Sequence, residues 1–272
     1  MIEVLDAGPQ ALVQDLGRPG LAAIGVGRSG AADRASLCLG NRLVANDDEG
    51  AAGIEILLGG FAARAARDLL IALTGAPAPA TVDGRPVAHH ALVRLRRGQE
   101  LRLGPPPCGL RTYLCVRGGI AVPPVLGSRS TDVLSGIGPE PLDKGAELPV
   151  GPEPRAYPVI DFAPVAPPAA GPVTLRAVGG PHAEHAVEPG ALATARWVAS
   201  GRTDRVGMRL EGAVLEVAEG AGSLPSEGLA RGAIQLPPGG EPVVFLADHP
   251  VTGGYPVIAV LRDRDVDRAA QV

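Results

Sequence analysis

Apolar and polar positions alternate in short bursts along most of this chain, and glycine, proline and Asp-Gly pairs separate the bursts. The opening MIEVLDAG alternates from its first residue, and residues 54–59, 68–74, 91–95, 99–103 and 111–117 form comparable runs. Further runs lie at 173–178, 213–218 and 242–246, with a weaker one at 196–200. VDGRPV (82–87) carries the Asp-Gly pair of a tight hairpin, and Val257-Ile258-Ala259-Val260 reads as a buried strand entered from a Gly-Gly hinge. Only residues 32–45, ADRASLCLGNRLVA, place Ala35, Leu39 and Leu43 at helical spacing before the C-terminal tail. Ser29 stands where it would cap that helix, and Gly40 inside it is unfavourable. The tail RDRDVDRAAQV reads as a short helical turn, and the proline-dense stretch 149–173 as a draped connection. The expectation is a mainly β chain with few short helices, in two halves, 1–160 and 161–272.

Composition narrows the functional classes. Of 272 residues 46% are hydrophobic, which suits a packed core, yet aromatics are only 3%, so Val, Leu, Ile and Ala must build it. A net charge of −4 lacks the basic surface that nucleic-acid binding needs. No apolar run reaches membrane-spanning length and no signal peptide is visible. Three cysteines without C-x-x-C spacing read as reduced thiols of a cytoplasmic protein.

Several short motifs mislead. GVGRSG (25–30) matches a dinucleotide fingerprint, but only LAAI separates it from Pro19-Gly20, so no strand precedes it. A nucleophile elbow and a Walker A loop are both missing from the sequence. His182, Glu184 and His185 lack a further ligand at metal-site spacing and read as a solvated turn, so no metal is expected. Lys144, the single lysine, lacks the setting of a biotin attachment site.

Six polar clusters sit on glycine-punctuated loops. They contribute Gln14, Asp15 and Arg18; Ser29 and Asp33; Arg111, Gly118 and Gly119; Ser128, Ser130 and Thr131; Arg205 and Arg209; and Gln235 with Asp248, His249, Thr252, Gly253, Gly254 and Tyr255. Any one of them reads equally as a turn or a surface ion pair. Together they are an inventory for holding a small carboxylate, amide or carboxyphosphate-like group.

QDLGRPG, SGAADRASLCLGNRLVAND, GLRTYLCVRGGIAVPPVLGSRST, TDRVGMRLEG and DHPVTGGYP together resemble the signature blocks of the second allophanate-hydrolase-type subunit. This family is also known as the biotin-dependent carboxyltransferase family, and it includes KipA and the C component of bacterial 5-oxoprolinase. The resemblance implies two cyclophilin-like β-barrel domains and a KipI-like partner, joined in the oxoprolinase version by a LamB/YcsF-like subunit. The chain departs from the family at Gly27, where proline is usual, and at Pro250-Val251, where Gln-Thr is common. Relatives also carry a final Pro-Gly turn and strand beyond Val272, so the second barrel is expected to lack its last strand.

Three functions follow from the resemblance. In an ATP-dependent 5-oxoprolinase, ATP would be shared with the partner subunits. Arg205 or Arg209, with the Gly253-Gly254 amides, would stabilise an anionic intermediate, and Asp248 or His249 would move protons. In a carboxyltransferase, biotin would ride on a separate carrier, Tyr255 and the Gly-Gly backbone would bind its ureido ring, and Arg111 would sit near the carboxylate. A KipA-like regulator would only sequester its partner. In the catalytic versions DHPVTGGYP lines a cleft with QDLGRPG or GLRTYLCVRGG, its glycines admitting a ligand or partner backbone.

Overall fold

The structure is a computed structural model that describes residues 1–166, 171–188, 190–218 and 224–272. It is mainly β, and every pairing between its named strands is antiparallel. One sheet runs, in spatial order, Glu147–Leu148, Ile2–Ala7, Phe61–Ala65, Glu100–Leu103, Ala80–Val82 and Arg85–Pro86. A second runs Gln10–Gln14, Gly53–Leu57, Arg111–Val116, Leu69–Gly75 and Leu92–Leu95. Ile2, Val4, Phe61 and Leu101 of the first sheet meet Val13, Ile54, Ile71 and Leu114 of the second in one aliphatic core. The period-2 alternation in these strands places their apolar side chains in that core.

The third sheet orders Ala177–Gly179, Val257–Leu261, Ala233–Gln235, Val243–Phe245, Gly207–Glu211 and Val198–Ala199. Its Met208, Ile234, Val244 and Ile258 form a second core, which the C-terminal helix closes with Val266 and Ala269. Glu227–Gly228 and Thr252–Gly253 pair separately. The three α-helices of the described residues are α1 (Arg34–Leu43), α2 (Ala191–Thr194) and α3 (Asp263–Ala269).

The hairpin expected at Asp83-Gly84 forms, with both residues at positive φ. The strand expected at 213–218 does not. The sheet strand ends at Glu211, Gly212 turns at φ 150°, and the Leu215 N–H goes to the Gly240 carbonyl instead of a ladder. Antiparallel pairing throughout excludes the βαβ unit that a dinucleotide fingerprint would need, and a 3-10 turn (Ala22–Ile24) precedes GVGRSG. The helix cap is Asp33, whose carboxylate accepts from Ser36 N at 3.0 Å, so Ser29 is free for another task. The connection after residue 149 is not wholly loose: Phe162 bridges Ala91, beside the edge strand Leu92–Leu95.

Gly40 is explained by close packing. A Cβ there would lie 2.5 Å from Cys115 Sγ and 3.0 Å from its Cβ, where α1 crosses the second sheet. On an exposed helix face Gly→Ala gains about 1 kcal/mol. Here overpacking is the larger effect, and G40A is expected to lower stability by about 1–3 kcal/mol in chemical denaturation. A stabilised variant would show that the helix can shift off the sheet without cost.

Candidate functional site

The signature loops converge where the two cores meet, and a buried ion-pair lattice holds them there. Arg205, just before the strand Gly207–Glu211, is fully buried. Its Nε donates to Asp248 Oδ2 at 2.8 Å and its Nη2 to Asp248 Oδ1 at 2.9 Å. The same guanidinium reaches into the other half, with Nη1 on Glu55 Oε1 and Nη2 on the Gly30 carbonyl at 2.6 Å. Arg111 Nε lies 3.5 Å from Glu55 Oε1, so two guanidinium groups face two carboxylates, all buried. The formal charge balances, which such burial requires.

Hydrogen bonds complete the lattice. Glu55 Oε2 accepts from Ala32 N at 2.9 Å and from the Tyr113 hydroxyl at 2.7 Å, and that hydroxyl accepts from Asp33 N at 2.8 Å. Burial pushes the Glu55 carboxyl up, but Arg205, Arg111 and these donors outweigh it and hold it below its ordinary value. Burial first, then the Glu55 and Asp33 charges, raise Tyr113 well above the usual phenol. Burial also opposes the charge on Arg205, and Glu55 and Asp248 overcome it.

Ser29 is the link from the other side. It donates to Asp248 Oδ1 at 2.6 Å while sitting at φ 54°, a left-handed conformation unusual for serine. Asp248 accepts four bonds in all, from Ser29 Oγ, Arg205 Nε and Nη2, and Val133 N at 3.1 Å. No acceptor direction remains for a substrate. Asp15 ties the adjoining loops: it accepts from Gly17 N, from the Ser128 and Ser130 hydroxyls at 2.6 Å each, and from Arg129 N. Gln14 donates to the Thr131 carbonyl at 2.8 Å, Arg18 to the Ser130 carbonyl at 2.5 Å, and Thr131 to the Pro139 carbonyl at 2.9 Å.

Beside this lattice opens a cavity of about 350 Å³, lined by Ala22, Gly25 and Gly27, by Asp132, Leu134 and Ser135, and by His249 to Thr252. The imidazole Nδ1 of His249 lies 2.8 Å from the Pro250 carbonyl, which fixes the proton on Nδ1 and leaves Nε2 as an acceptor. Burial lowers its pKa; the Pro250 bond and Asp248 oppose this, while Arg231 and Arg34 add to it. Asp132 Oδ1 is held by Leu134 N and Ser135 N at 3.0 and 3.1 Å. A neutral imidazole, a carboxylate and the hydroxyls of Ser135 and Thr252 thus share one opening, equipped for proton transfer on a small polar group.

Not every expected residue is here. Arg209 is exposed on its strand, away from the lattice. Gly118 N donates to Asn46 Oδ1 at 2.7 Å, and its Cβ position would lie 2.6 Å from Gly151 O; with Gly119 it lets two backbone segments touch. Asp33 caps α1 and accepts from Gln271 at 2.8 Å, lining a separate cleft of about 580 Å³ with Arg264 and Arg268. Gln235 donates to the Tyr255 carbonyl at 2.9 Å and so props the glycine loop, leaving the Tyr255 ring exposed. Gly253 and Gly254 do not adopt positive φ; a Cβ at Gly253 would meet Gln235 Nε2 and Leu229 Cδ1 at 2.8 Å, so the backbone is approached by the protein's own side chains. Glu55, Tyr113 and Asp132 are absent from the residues expected on sequence grounds. The lone Glu in the apolar strand GIEIL is the available signal, since a buried carboxylate needs a cation.

The mainly β fold, with its loops gathered at a buried charge lattice, can be set beside known proteins. The sequence profile described as carboxyltransferase domain, subdomain A and B, matches residues 24–272, and the chain belongs to that family. It is 36% identical over 277 residues to the C component of Escherichia coli 5-oxoprolinase, covering all of this chain and 88% of that one. The crystal structure of TTHA0988 superimposes with TM-score 0.89 at 34% identity, covering all of this chain but only 54% of that chain. The urea amidolyase of K. lactis superimposes with TM-score 0.87 at 30% identity, over 99% of this chain and 18% of that one. No helix of the described residues is long and apolar enough to cross a membrane.

Two measurements test the site. R205A leaves Asp248 buried without its cation, and Glu55 with Arg111 alone, and is expected to cost about 3–5 kcal/mol in urea denaturation; an unchanged midpoint would mean the lattice does not hold the halves. Because the His249 pKa is depressed from 6.5, the unfolded chain binds more protons between the lowered value and 6.5. Stability therefore falls as pH drops through that window. H249Q is expected to lose less stability than wild type between roughly pH 7 and 5, read as thermal midpoints in matched buffers; equal losses would show that His249 is not buried as a neutral ring.

Proposed function

We propose that this chain is a subunit of an ATP-dependent amidohydrolase that opens 5-oxoproline to glutamate, working with a KipI-like and a LamB/YcsF-like subunit. The observation that carries this reading is the full-length match to the C component of 5-oxoprolinase, a protein named as one subunit among several. The cavity beside His249 fits the cyclic amide: hydroxyls of Ser135 and Thr252 meet its polar edge, and Ala22, Pro250 and Val251 face its methylenes. His249 Nε2 takes a proton from the attacking water and returns it to the ring nitrogen as the C–N bond breaks. Ser29, Arg205 and Asp248 act by positioning the loop that carries His249.

ATP supplies the activation of the amide oxygen in such a reaction. Its triphosphate does not fit this cavity, whose lining holds Asp132 and no arginine or lysine. The nucleotide therefore belongs to the partner subunits or to their interface with this chain. One second reading, in which the ureido ring of a biotin carrier enters this cavity, is supported by the urea amidolyase match.

The three subunits, mixed and supplied with 5-oxoproline and ATP, are expected to release glutamate. H249Q is expected to lower kcat about 100-fold or more, with complex formation intact. No glutamate from an assembled wild-type complex would overturn the oxoprolinase reading, and carboxybiotin-dependent turnover would replace it.

A further inference from the structure

The buried carboxylates of this chain differ in what their oxygens do. Five are buried among the described residues: Asp33, Glu55, Asp132, Asp248 and Asp265. Four of them have both oxygens engaged. Glu55 and Asp248 share Arg205, and Glu55 also takes Ala32 N and Tyr113. Asp265 takes Arg176 and Arg268, and Asp33 takes Ser36 and Gln271. Asp132, only 3% exposed, engages Oδ1 alone, on the N–H groups of Leu134 and Ser135. Its Oδ2 meets no donor and no cation among the described residues.

That oxygen faces the His249 cavity. A Cβ built on Gly27, itself in the lining, would lie 3.7 Å from Asp132 Oδ2 and 3.6 Å from the His249 carbonyl. Both are ordinary contacts, and Gly27 is not at positive φ, so the fold does not require glycine there. Its hydrogen leaves a methyl-sized space beside Asp132 and the His249 backbone. The turn at 132–135 needs one side-chain oxygen, which an asparagine would supply as well. A second carboxylate oxygen withdrawn from water is costly unless a donor meets it. The donor has to come from what the cavity binds.

We propose that Asp132 Oδ2 accepts the N–H of a cyclic amide and so selects a lactam over its oxygen analogue. This rests on the amidohydrolase reading above. As the C–N bond breaks, its electron pair passes to the nitrogen, which takes the proton from His249 and stays hydrogen-bonded to Asp132. The departing amine, once protonated, is a stronger donor than the amide N–H, so the bond to the carboxylate strengthens along the reaction. A lactone places a ring oxygen there, with no proton between two acceptors, and is rejected. The ureido ring of the second reading carries the same N–H, and Asp132 recognises that group from either source.

D132N is the discriminating variant, because asparagine keeps the turn bonds through Oδ1 and puts a donor in place of Oδ2. The assembled complex is supplied with ATP and either 5-oxoproline or the lactone in which oxygen replaces the ring N–H, and ring opening is followed for each. D132N is expected to lower kcat/KM for the lactam about 10-fold or more and to leave the lactone within about 3-fold. An unchanged lactam-to-lactone ratio, or an equal loss with both, would overturn the assignment. G27A, whose methyl group fills the space beside Oδ2, is expected to raise KM at an unchanged thermal midpoint; an unchanged KM would remove Oδ2 from the substrate's path. Ligand-observed NMR of the same complex with 2-pyrrolidinone, 2-imidazolidinone and γ-butyrolactone reads the preference without turnover. Wild type is expected to favour the two N–H rings and D132N to lose that preference, and equal binding of all three by wild type would overturn the proposal. A complex that shows the preference yet forms no glutamate overturns the oxoprolinase reading and leaves Asp132 as the N–H acceptor. Tighter binding of 2-imidazolidinone than of 2-pyrrolidinone then assigns the cavity to the ureido ring.

Discussion

One guanidinium group, that of Arg205, connects the two cores of this molecule. It lies between a carboxylate from each half, Asp248 and Glu55, with almost no solvent contact. Burying any of these charges alone would be prohibitive, so each holds the others in place. The arrangement specifies geometry more than it adds stability. An apolar interface could slide, whereas a bidentate pair with further bonds to Gly30 and Glu55 admits one relative placement.

The candidate site inherits that placement. Ser29, at positive φ, donates its hydroxyl to Asp248, and the Asp248 side chain also accepts from Val133 N. The loops at 25–30, 132–135 and 248–252 are thereby pinned to one carboxylate, and the cavity lies among them. His249 follows Asp248 directly, so the residue that anchors the loop also aims the imidazole. The chemistry assigned to the cavity is modest in its own inventory: one neutral base, one carboxylate and hydroxyls. It lacks the cation that a phosphate or a carboxylate substrate requires.

Several residues of the six polar loop clusters spend their hydrogen bonds on one another. Asp248 and Arg205 read from the sequence as a proton carrier and an anion stabiliser, and the geometry has them saturating each other. Gln235 and the Gly253-Gly254 pair read as ligand contacts, and they brace one another. Asp132 ends the stretch LGSRSTD, where its three hydroxyl neighbours are the more conspicuous candidates, yet it is the acid that reaches the cavity. Polar residues on glycine loops satisfy each other whenever they can. Which of them is left facing a cavity depends on partners far along the chain, as between Ser29 and Asp248.

What the chain determined by itself was local: alternation set most strands of the first two sheets, Asp83-Gly84 set a hairpin, and helical spacing set α1 within a few residues of its observed bounds. The mainly β class and the family followed from those patterns and from the order of the motifs. Tertiary structure alone decided that Gly40 answers to Cys115, that Glu55 in an apolar strand is the counter-charge for Arg205, and that His249 and Asp132 share an opening. The reason is physical. Periodicity reports which face of an element is buried, but a buried charge is defined by its partner, and nothing in a linear pattern names a partner from the other half of the chain.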